Sequence, residues 1–90
     1  MNEFEWDIVK AESNFKKHGV SFEESVTVFD DPFAIYYEDV FHSQVELRYI
    51  VRGYTQSNNL LIVNFTMRNK RVRIISSRKA TKKEKRYHEK

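Results

Sequence analysis

Residues 45–77, VELRYIVRGYTQSNNLLIVNFTMRNKRVRIISS, decide the fold of this 90-residue chain. Three β-favouring runs are separated by the polar segment TQSNN and by the short turn RNK, which is the pattern of consecutive antiparallel strands. The aromatic segment FAIYYEDV (33–40) adds a further strand before them. These runs predict a four-stranded antiparallel sheet with one apolar and one mixed face.

Alternation assigns side chains to the two faces of this sheet. The apolar face is expected to carry Val45, Leu47, Tyr49, Val51, Leu61, Val63, Phe65, Met67, Val72 and Ile74. The mixed face is expected to carry Glu46, Arg48, Arg52, Arg71 and Arg73. Among these arginines the pKa of Glu46 should be lowered, so that this carboxylate anchors arginine rather than acting as a base.

Two helices are predicted before the sheet. Asp7 is placed as the N-cap of the first helix, and Gly19 supplies the left-handed residue that ends it. Ser21 and Glu24 form an S-x-x-E capping box that opens the second helix, and DDP (30–32) stops it. Apolar stripes on both helices can cover the apolar face of the sheet.

The two ends of the chain complete the predicted architecture. The segment FEW (4–6) alternates briefly and is a possible short extra strand, while Thr81 and Glu84 form a capping box that opens a basic C-terminal helix. The prediction is therefore an α+β fold, with two N-terminal helices on the four-stranded sheet and the basic helix at the end. All of residues 1–90 are assigned to a single domain.

Composition excludes several classes of protein. The chain has no cysteine, which rules out disulfides, thiolate zinc sites and cysteine nucleophiles and fits a reducing, cytoplasmic location. The acidic N-terminus lacks the apolar core of a signal peptide, and no apolar run is long enough to span a membrane. No metal or cofactor is expected, because HExxH, clustered metal ligands and Gly-rich phosphate loops are absent from the sequence.

Positive charge is concentrated at the end of the chain. Residues 71–90 hold nine Lys or Arg and two Glu, a net charge of +7, whereas residues 1–70 hold seven basic and eleven acidic residues, a net charge of −4. Such a cationic end can steer an anion towards it. A solvated helix followed by an untidy tail would give the same pattern.

The sequence predicts a phosphate pocket where the last strand meets the last helix. Arg73, Arg78 and Lys79 are expected to converge there with the N–H groups of the helix N-terminus. Tyrosines among these cations, Tyr87 included, suit the stacking of unpaired RNA bases. If chemistry occurs on RNA, it would be metal-free attack of the 2′-OH on the neighbouring phosphate. Exposed arginines on a strand are nonetheless usually solvated side chains without a role.

Of the three histidines, His18 is the expected acid–base group. It lies at a helix C-terminus, where the helix dipole favours imidazolium, although a helix-capping role is equally consistent with this position. His42, in a polar loop, and His88, near the C-terminus, are expected to be incidental.

Two longer motifs resemble the BrnT toxin family of type II toxin–antitoxin systems. They are FEWDIVKAESNFKKHGVSFEE (4–24) and RIISSRKATKKE (73–84), and the positions that match are Lys17, His18, Arg73, Arg78, Lys79, Thr81 and Glu84. Ser77 stands where the family motif has alanine. The resemblance implies a RelE-like fold and a ribonuclease that arrests translation. It also implies a BrnA-like antitoxin partner, a heterotetramer with it, and contact with operator DNA only through that antitoxin.

Charge, position and resemblance together give the candidate site. The catalytic candidates are His18, Arg73, Arg78 and Lys79. The substrate-binding candidates are Lys17, Arg48, Arg52, Arg71 and Tyr87. An acidic antitoxin segment is expected to dock on the same basic patch. A non-catalytic nucleic-acid-binding or partner-binding module, acting as a corepressor, would use the same residues.

Overall fold

The helices begin where the sequence places their N-caps, but the second one ends earlier than predicted. It passes after Val26 into a 3₁₀ helix at Thr27–Asp30, and DDP (30–32) stops that 3₁₀ helix instead. The computed structural model describes residues 3–90, with α1 at Ile8–His18, α2 at Phe22–Val26 and α3 at Lys82–His88. Asp7 accepts the N–H of Lys10 at 3.1 Å, and Gly19, with φ of 69°, donates to Phe15 O at 2.8 Å. These local contacts satisfy backbone groups that a helix end would otherwise leave unpaired.

The two capping boxes predicted from the sequence form to different extents. At α3 the box is complete, with reciprocal bonds between Thr81 and Glu84. At α2, Ser21 Oγ accepts the N–H of Glu24 at 3.0 Å, but the carboxylate of Glu24 accepts instead from Thr55 and Asn59. The second box is therefore half formed, because Glu24 ties α2 to the loop at 55–59.

The sheet has five strands and is mixed, which corrects the predicted four-stranded antiparallel sheet. The strands are β1 at Phe4–Glu5, β2 at Ile35–Glu38, β3 at Arg48–Tyr54, β4 at Leu60–Arg68 and β5 at Arg71–Lys79. Their order is β1-β5-β4-β3-β2, and β1 pairs parallel to β5 while the other pairs are antiparallel. The possible extra strand is thus present as β1. Residues 1 and 2, which the predicted domain includes, lie outside the described residues.

The core lies between the sheet and the layer formed by α1, α2 and a 3₁₀ helix at Thr27–Asp30. Its buried members are Val20, Phe22, Val28, Val51, Leu61, Val63, Phe65, Val72 and Ile74. Full burial of each large apolar side chain contributes about 1.5–3 kcal/mol. No helix within residues 3–90 is long and apolar enough to cross a membrane.

Three residues predicted for the apolar face are exposed instead. Val45 and Leu47 precede β3 and lie in the loop that leads to it, so they never enter the core. Met67 is 45% exposed because it lies beside the tight turn of Asn69 and Lys70, at the end of the sheet. Alternation alone did not show where the strand begins or where the covering helices end.

A β-bulge in β5 changes which face its side chains occupy. Phe65 pairs with Ile74, but Asn64 pairs with Ser76, so Ile75 is an extra residue. Arg73 and Arg78 are five positions apart, and strict alternation would put them on opposite faces. The bulge places both on the face that α1 and α2 do not cover.

Asn14 of α1 pairs with the outer edge of β5. Its side chain is buried, and its amide donates to Ser77 O at 2.8 Å and accepts the N–H of Ser77 at 3.0 Å. The same amide nitrogen donates to Val20 O at 3.2 Å. The side chain of Ser77, where the family motif has alanine, is buried in hydrogen-bond contact with Ser25 Oγ at 2.7 Å. An amide side chain here takes the place of a neighbouring strand.

Candidate functional site

Arginines occupy the side of the sheet opposite α1 and α2, which we call the arginine face. Two rows cross it: Arg48 and Arg73 flank Thr66, and Arg52 and Arg78 flank Ile62. Strand geometry places the Cα atoms of the two arginines in one row about 10 Å apart, and it places the two rows about 13 Å apart along the strands. Between the rows lie Tyr37, Ile50, Asn64 and Ser76, and Arg68 and Arg71 lie beyond the first row.

Carboxylates neutralise four of these arginines. Arg71 pairs with Glu3 at 2.8 Å, Arg73 with Glu5 at 2.9 Å and Arg68 with Glu46 at 3.0 Å. The hydrogen bond from Arg68 holds the pKa of Glu46 below its ordinary value, which confirms the predicted direction with a different partner. Arg78 is the fourth, and its bond to α3 is bidentate.

Arg78 holds the start of α3. Its guanidinium donates to both carboxylate oxygens of Glu84, at 2.8 and 3.0 Å. This pairing, helped by the bonds from Thr81, lowers the pKa of Glu84 to about 2. Thr81 and Glu84, two positions on which the family resemblance rested, therefore have structural roles at the helix cap.

Arg48 and Arg52 form no ion pair within residues 3–90. Arg52 Nε donates to Nδ1 of His88 at 2.9 Å, and its guanidinium lies 5.4 Å from the centre of the Tyr87 ring. These contacts leave the positive charge of Arg52 without a counter-charge. The two arginines are the cations of this face most available to a phosphate.

The predicted phosphate pocket does not form as one site. Arg73 pairs with Thr66 and Arg78 with Ile62, so the two are about 13 Å apart along the sheet. Lys79 follows Arg78 directly and pairs with Leu61, which puts its side chain on the opposite face. Strand alternation therefore separates the three cations that the sequence placed together.

Lys17 and His18 lie away from the arginine face. They belong to the last turn of α1 and line a groove of about 210 Å³ along the outer edge of β5, with Ile75 and Ser76 opposite. The structure places Tyr87, by contrast, beside Arg52. Of the residues proposed from the sequence, only Arg48, Arg52, Arg71, Arg73, Arg78 and Tyr87 gather on or beside this one face.

Sequence reasoning missed an Asp–His pair at the edge of this face. Nδ1 of His42 lies 2.8 Å from Oδ2 of Asp39, a residue that is only 6% exposed. Asn64 donates to the same carboxylate oxygen at 3.1 Å. The available signal was the D-x-x-H spacing in DVFH (39–42), just after a strand, but nothing in that spacing shows that Asp39 is buried.

His42 and Arg48 line one cavity of about 330 Å³, together with Phe41, Gln44, Val45 and Glu46. Phe41 is 84% exposed, and the side chain of His42 is 65% exposed. Within residues 3–90, no group of three or more His, Cys, Asp or Glu side chains is arranged to hold a metal ion. The cavity brings a cation, an imidazole and an aromatic ring together beside the first arginine row.

Comparison with known proteins decides the family. The model of a family described as "Ribonuclease toxin, BrnT, of type II toxin-antitoxin system" matches residues 6–84. This chain belongs to the BrnT family. The crystal structure of the Brucella abortus ribonuclease toxin BrnT, at 1.1 Å resolution, has a TM-score of 0.70 and 20% sequence identity to this chain. The match covers 91% of this chain and 100% of that one, and at this identity it shows the fold.

No curated protein matches the chain significantly. The BrnT fold here is the α+β arrangement of three helices and a five-stranded mixed sheet. Its broader likeness to RelE-like toxins stays a prediction.

Proposed function

We propose that this BrnT-family chain is an endoribonuclease toxin that holds single-stranded RNA on the arginine face and cuts it, arresting translation in the cytoplasm. The observation that carries the proposal is the pair of arginine rows, in which Arg48 and Arg52 have no carboxylate partner among residues 3–90. Guanidinium forks match phosphate oxygens in geometry and charge. Rows of cations across a sheet suit the backbone of an extended strand.

The proposed chemistry is metal-independent transesterification. The 2′-OH attacks the adjacent phosphorus, and negative charge builds on the non-bridging oxygens in the transition state. Preorganised guanidinium groups stabilise such charge. Arg48 is free to do so directly, and Arg52 must first release its hydrogen bond to His88. Arg73 and Arg78 must exchange Glu5 and Glu84 for the phosphate.

A cleavage assay tests this proposal. Purified protein is mixed with a short fluorescein-labelled single-stranded RNA in the presence of EDTA, and the products are analysed for 2′,3′-cyclic phosphate ends. Wild type should cut the RNA. The double variant Arg48→Ala, Arg52→Ala should bind the RNA at least about 10-fold more weakly, and the slope of log K against log salt concentration should be smaller by about 1.4. Lys16→Ala, an exposed cation on α1 and remote from the arginine face, is the matched control.

Two results would contradict the proposal. RNA bound by wild type but recovered intact would favour the non-catalytic module that acts as a corepressor. Cleavage that disappears with EDTA and returns with added Mg²⁺ would refute metal independence while leaving the ribonuclease activity in place.

We further propose that a BrnA-like antitoxin covers the arginine face with an acidic segment. The toxin and antitoxin would form a heterotetramer, and the toxin would contact operator DNA only through the antitoxin. Complementary charge would guide this docking. In a crosslinking experiment on the complex, probes at Arg48 and Arg52 should reach the antitoxin. Crosslinks confined to the exposed side of α1 would place the partner elsewhere.

A further inference from the structure

We infer that His42 is a catalytic residue of the proposed ribonuclease, accepting the proton of the attacking 2′-OH, with Asp39 as its positioning residue. The inference rests on the proposed function, and it assigns the proton acceptor of that reaction. It rests on the contact between His42 and the buried carboxylate of Asp39, and on the cavity that His42 shares with Arg48.

Asp39 is fixed more firmly than an ordinary surface carboxylate. Its N–H donates to Arg48 O at 2.8 Å, which continues the pairing of β2 with β3 beyond the strand end. Its carboxylate accepts from Asn64 and from His42, while Ser43 Oγ donates to its carbonyl at 2.7 Å. A carboxylate held in this way fixes the imidazole ring and its tautomer.

The contact with Asp39 determines which ring nitrogen is available. Nδ1 of His42 is engaged by the carboxylate and carries the proton that it donates. In the neutral imidazole, Nε2 is then the nitrogen with a free lone pair, on a side chain that is 65% exposed. This is the arrangement required of a general base: one nitrogen oriented, the other open to substrate.

The cavity supplies the other parts of a nucleotide site. Arg48, without an ion pair in residues 3–90, can bind the scissile phosphate, and the exposed ring of Phe41 offers a base a surface for stacking. Glu46 also lines the cavity, but Arg68 holds its carboxylate through two hydrogen bonds. The cavity therefore combines an imidazole and an unpaired cation.

The other two histidines are engaged differently. Nδ1 of His88 accepts a hydrogen bond from Arg52, and His18 lies at the outer edge of β5. His42 is the histidine that pairs with a carboxylate within residues 3–90. The acid–base role expected at His18 is thus better supported at His42.

The proposed step balances without a cofactor. Nε2 of His42 takes the proton of the 2′-OH, the O2′–P bond forms and the P–O5′ bond breaks. The 5′ oxygen leaves with the bonding electron pair and takes a proton from water. Imidazolium then returns its proton to solvent, and the products end in a 2′,3′-cyclic phosphate and a 5′-OH.

The decisive experiment compares His42→Ala with His18→Ala in the cleavage assay. Cleavage by His42→Ala should fall about 100-fold or more. Its binding to the same RNA carrying 2′-O-methyl groups, which cannot be cut, should stay close to that of wild type. Added imidazole should restore part of the lost rate. It would not do so if His42 had only a structural role. His18→Ala should keep most of the activity.

Asp39→Asn tests the positioning role. Its kcat should fall with little change in KM, and imidazole should not rescue it because the histidine is still present. His42→Gln is the second variant, in case His42→Ala does not fold. Thermal unfolding should show that it is folded, and its cleavage should be reduced as well.

The failures can be told apart. If wild type cuts RNA and both His42 variants cut it equally well, the inference is wrong and the proposed function stands. If His18→Ala abolishes cleavage while the His42 variants keep it, the general base is His18. If folded wild type cuts no RNA, the proposed function itself fails.

Discussion

Replacing Asn14 by alanine should cost about 3 kcal/mol of unfolding free energy. The side chain is 8% exposed and makes three hydrogen bonds to backbone groups, two to Ser77 and one to Val20. Each bond contributes about 1 kcal/mol when both partners are present. Alanine would leave the N–H and C=O of Ser77 unpaired, and a buried unpaired group costs about 1–3 kcal/mol. Water entering at the edge of β5 would recover part of that cost.

Urea unfolding followed by circular dichroism at 25 °C measures the effect. A domain of this size has an m-value near 1 kcal/mol/M, so the midpoint should fall by about 2–3 M with m unchanged. Ser13→Ala, the exposed neighbour on the same helix, is the matched control and should stay within about 0.5 kcal/mol of wild type. Hydrogen exchange at the amide of Ser77 should become faster in the Asn14 variant.

A small effect would refute this reasoning. If Asn14→Ala unfolds within about 1 kcal/mol of wild type, water replaces the amide at little cost. The outer edge of β5 would then need no partner from α1, and the contact would only accompany helix packing.

Two further predictions concern the sheet and α3. Gly53→Ala should destabilise the protein by about 1–3 kcal/mol in thermal or urea unfolding. The reason is that the new Cβ would lie only 3.0 Å from Ala34 Cβ and 3.1 Å from Val28 Cγ1. Unchanged stability would mean that these neighbouring side chains can move aside. Glu84→Gln should cost about 1 kcal/mol at pH 7, a value reduced by solvent screening of a side chain that is one-third exposed. Because the folded pKa of Glu84 is about 2 against an ordinary 4.5, this contribution is present above pH 4.5 and is lost as pH falls towards 2. The urea midpoints of wild type and variant should therefore converge in acid, and a gap that persists at pH 2 would contradict the ion-pair explanation.

Local chemistry made the helices predictable. Asp7, Gly19 and Thr81 act through groups within a few residues of themselves, so their positions in the sequence were enough. Strand β1 was harder, because two residues give almost no alternation and their pairing with β5 is a long-range contact. Val45 continues an alternating pattern into a loop, where nothing covers it.

The site was less predictable because side-chain direction depends on tertiary detail. The β-bulge at Ile75 decides that Arg78 joins Arg73 on one face, and alternation decides that Lys79 does not. Composition revealed the cations but not the carboxylates of Glu5 and Glu84 that neutralise two of them. His42 was overlooked for the same reason: its significance depends on the burial of Asp39.

Helix α3, at Lys82–His88, has no buried residue, and polar side chains hold it to the sheet. Glu84 holds Arg78, His88 accepts from Arg52, and Glu89, just beyond the helix, accepts from Tyr54. Undocking it would leave the core closed, so its free energy of opening should lie well below that of global unfolding. Two of these contacts occupy arginines, Arg52 and Arg78, that a polyanion on the arginine face would use. If RNA binds the arginine face as proposed, it competes with the protein's own α3 for Arg52 and Arg78. A partner that holds α3 on the sheet would then weaken RNA binding without touching RNA.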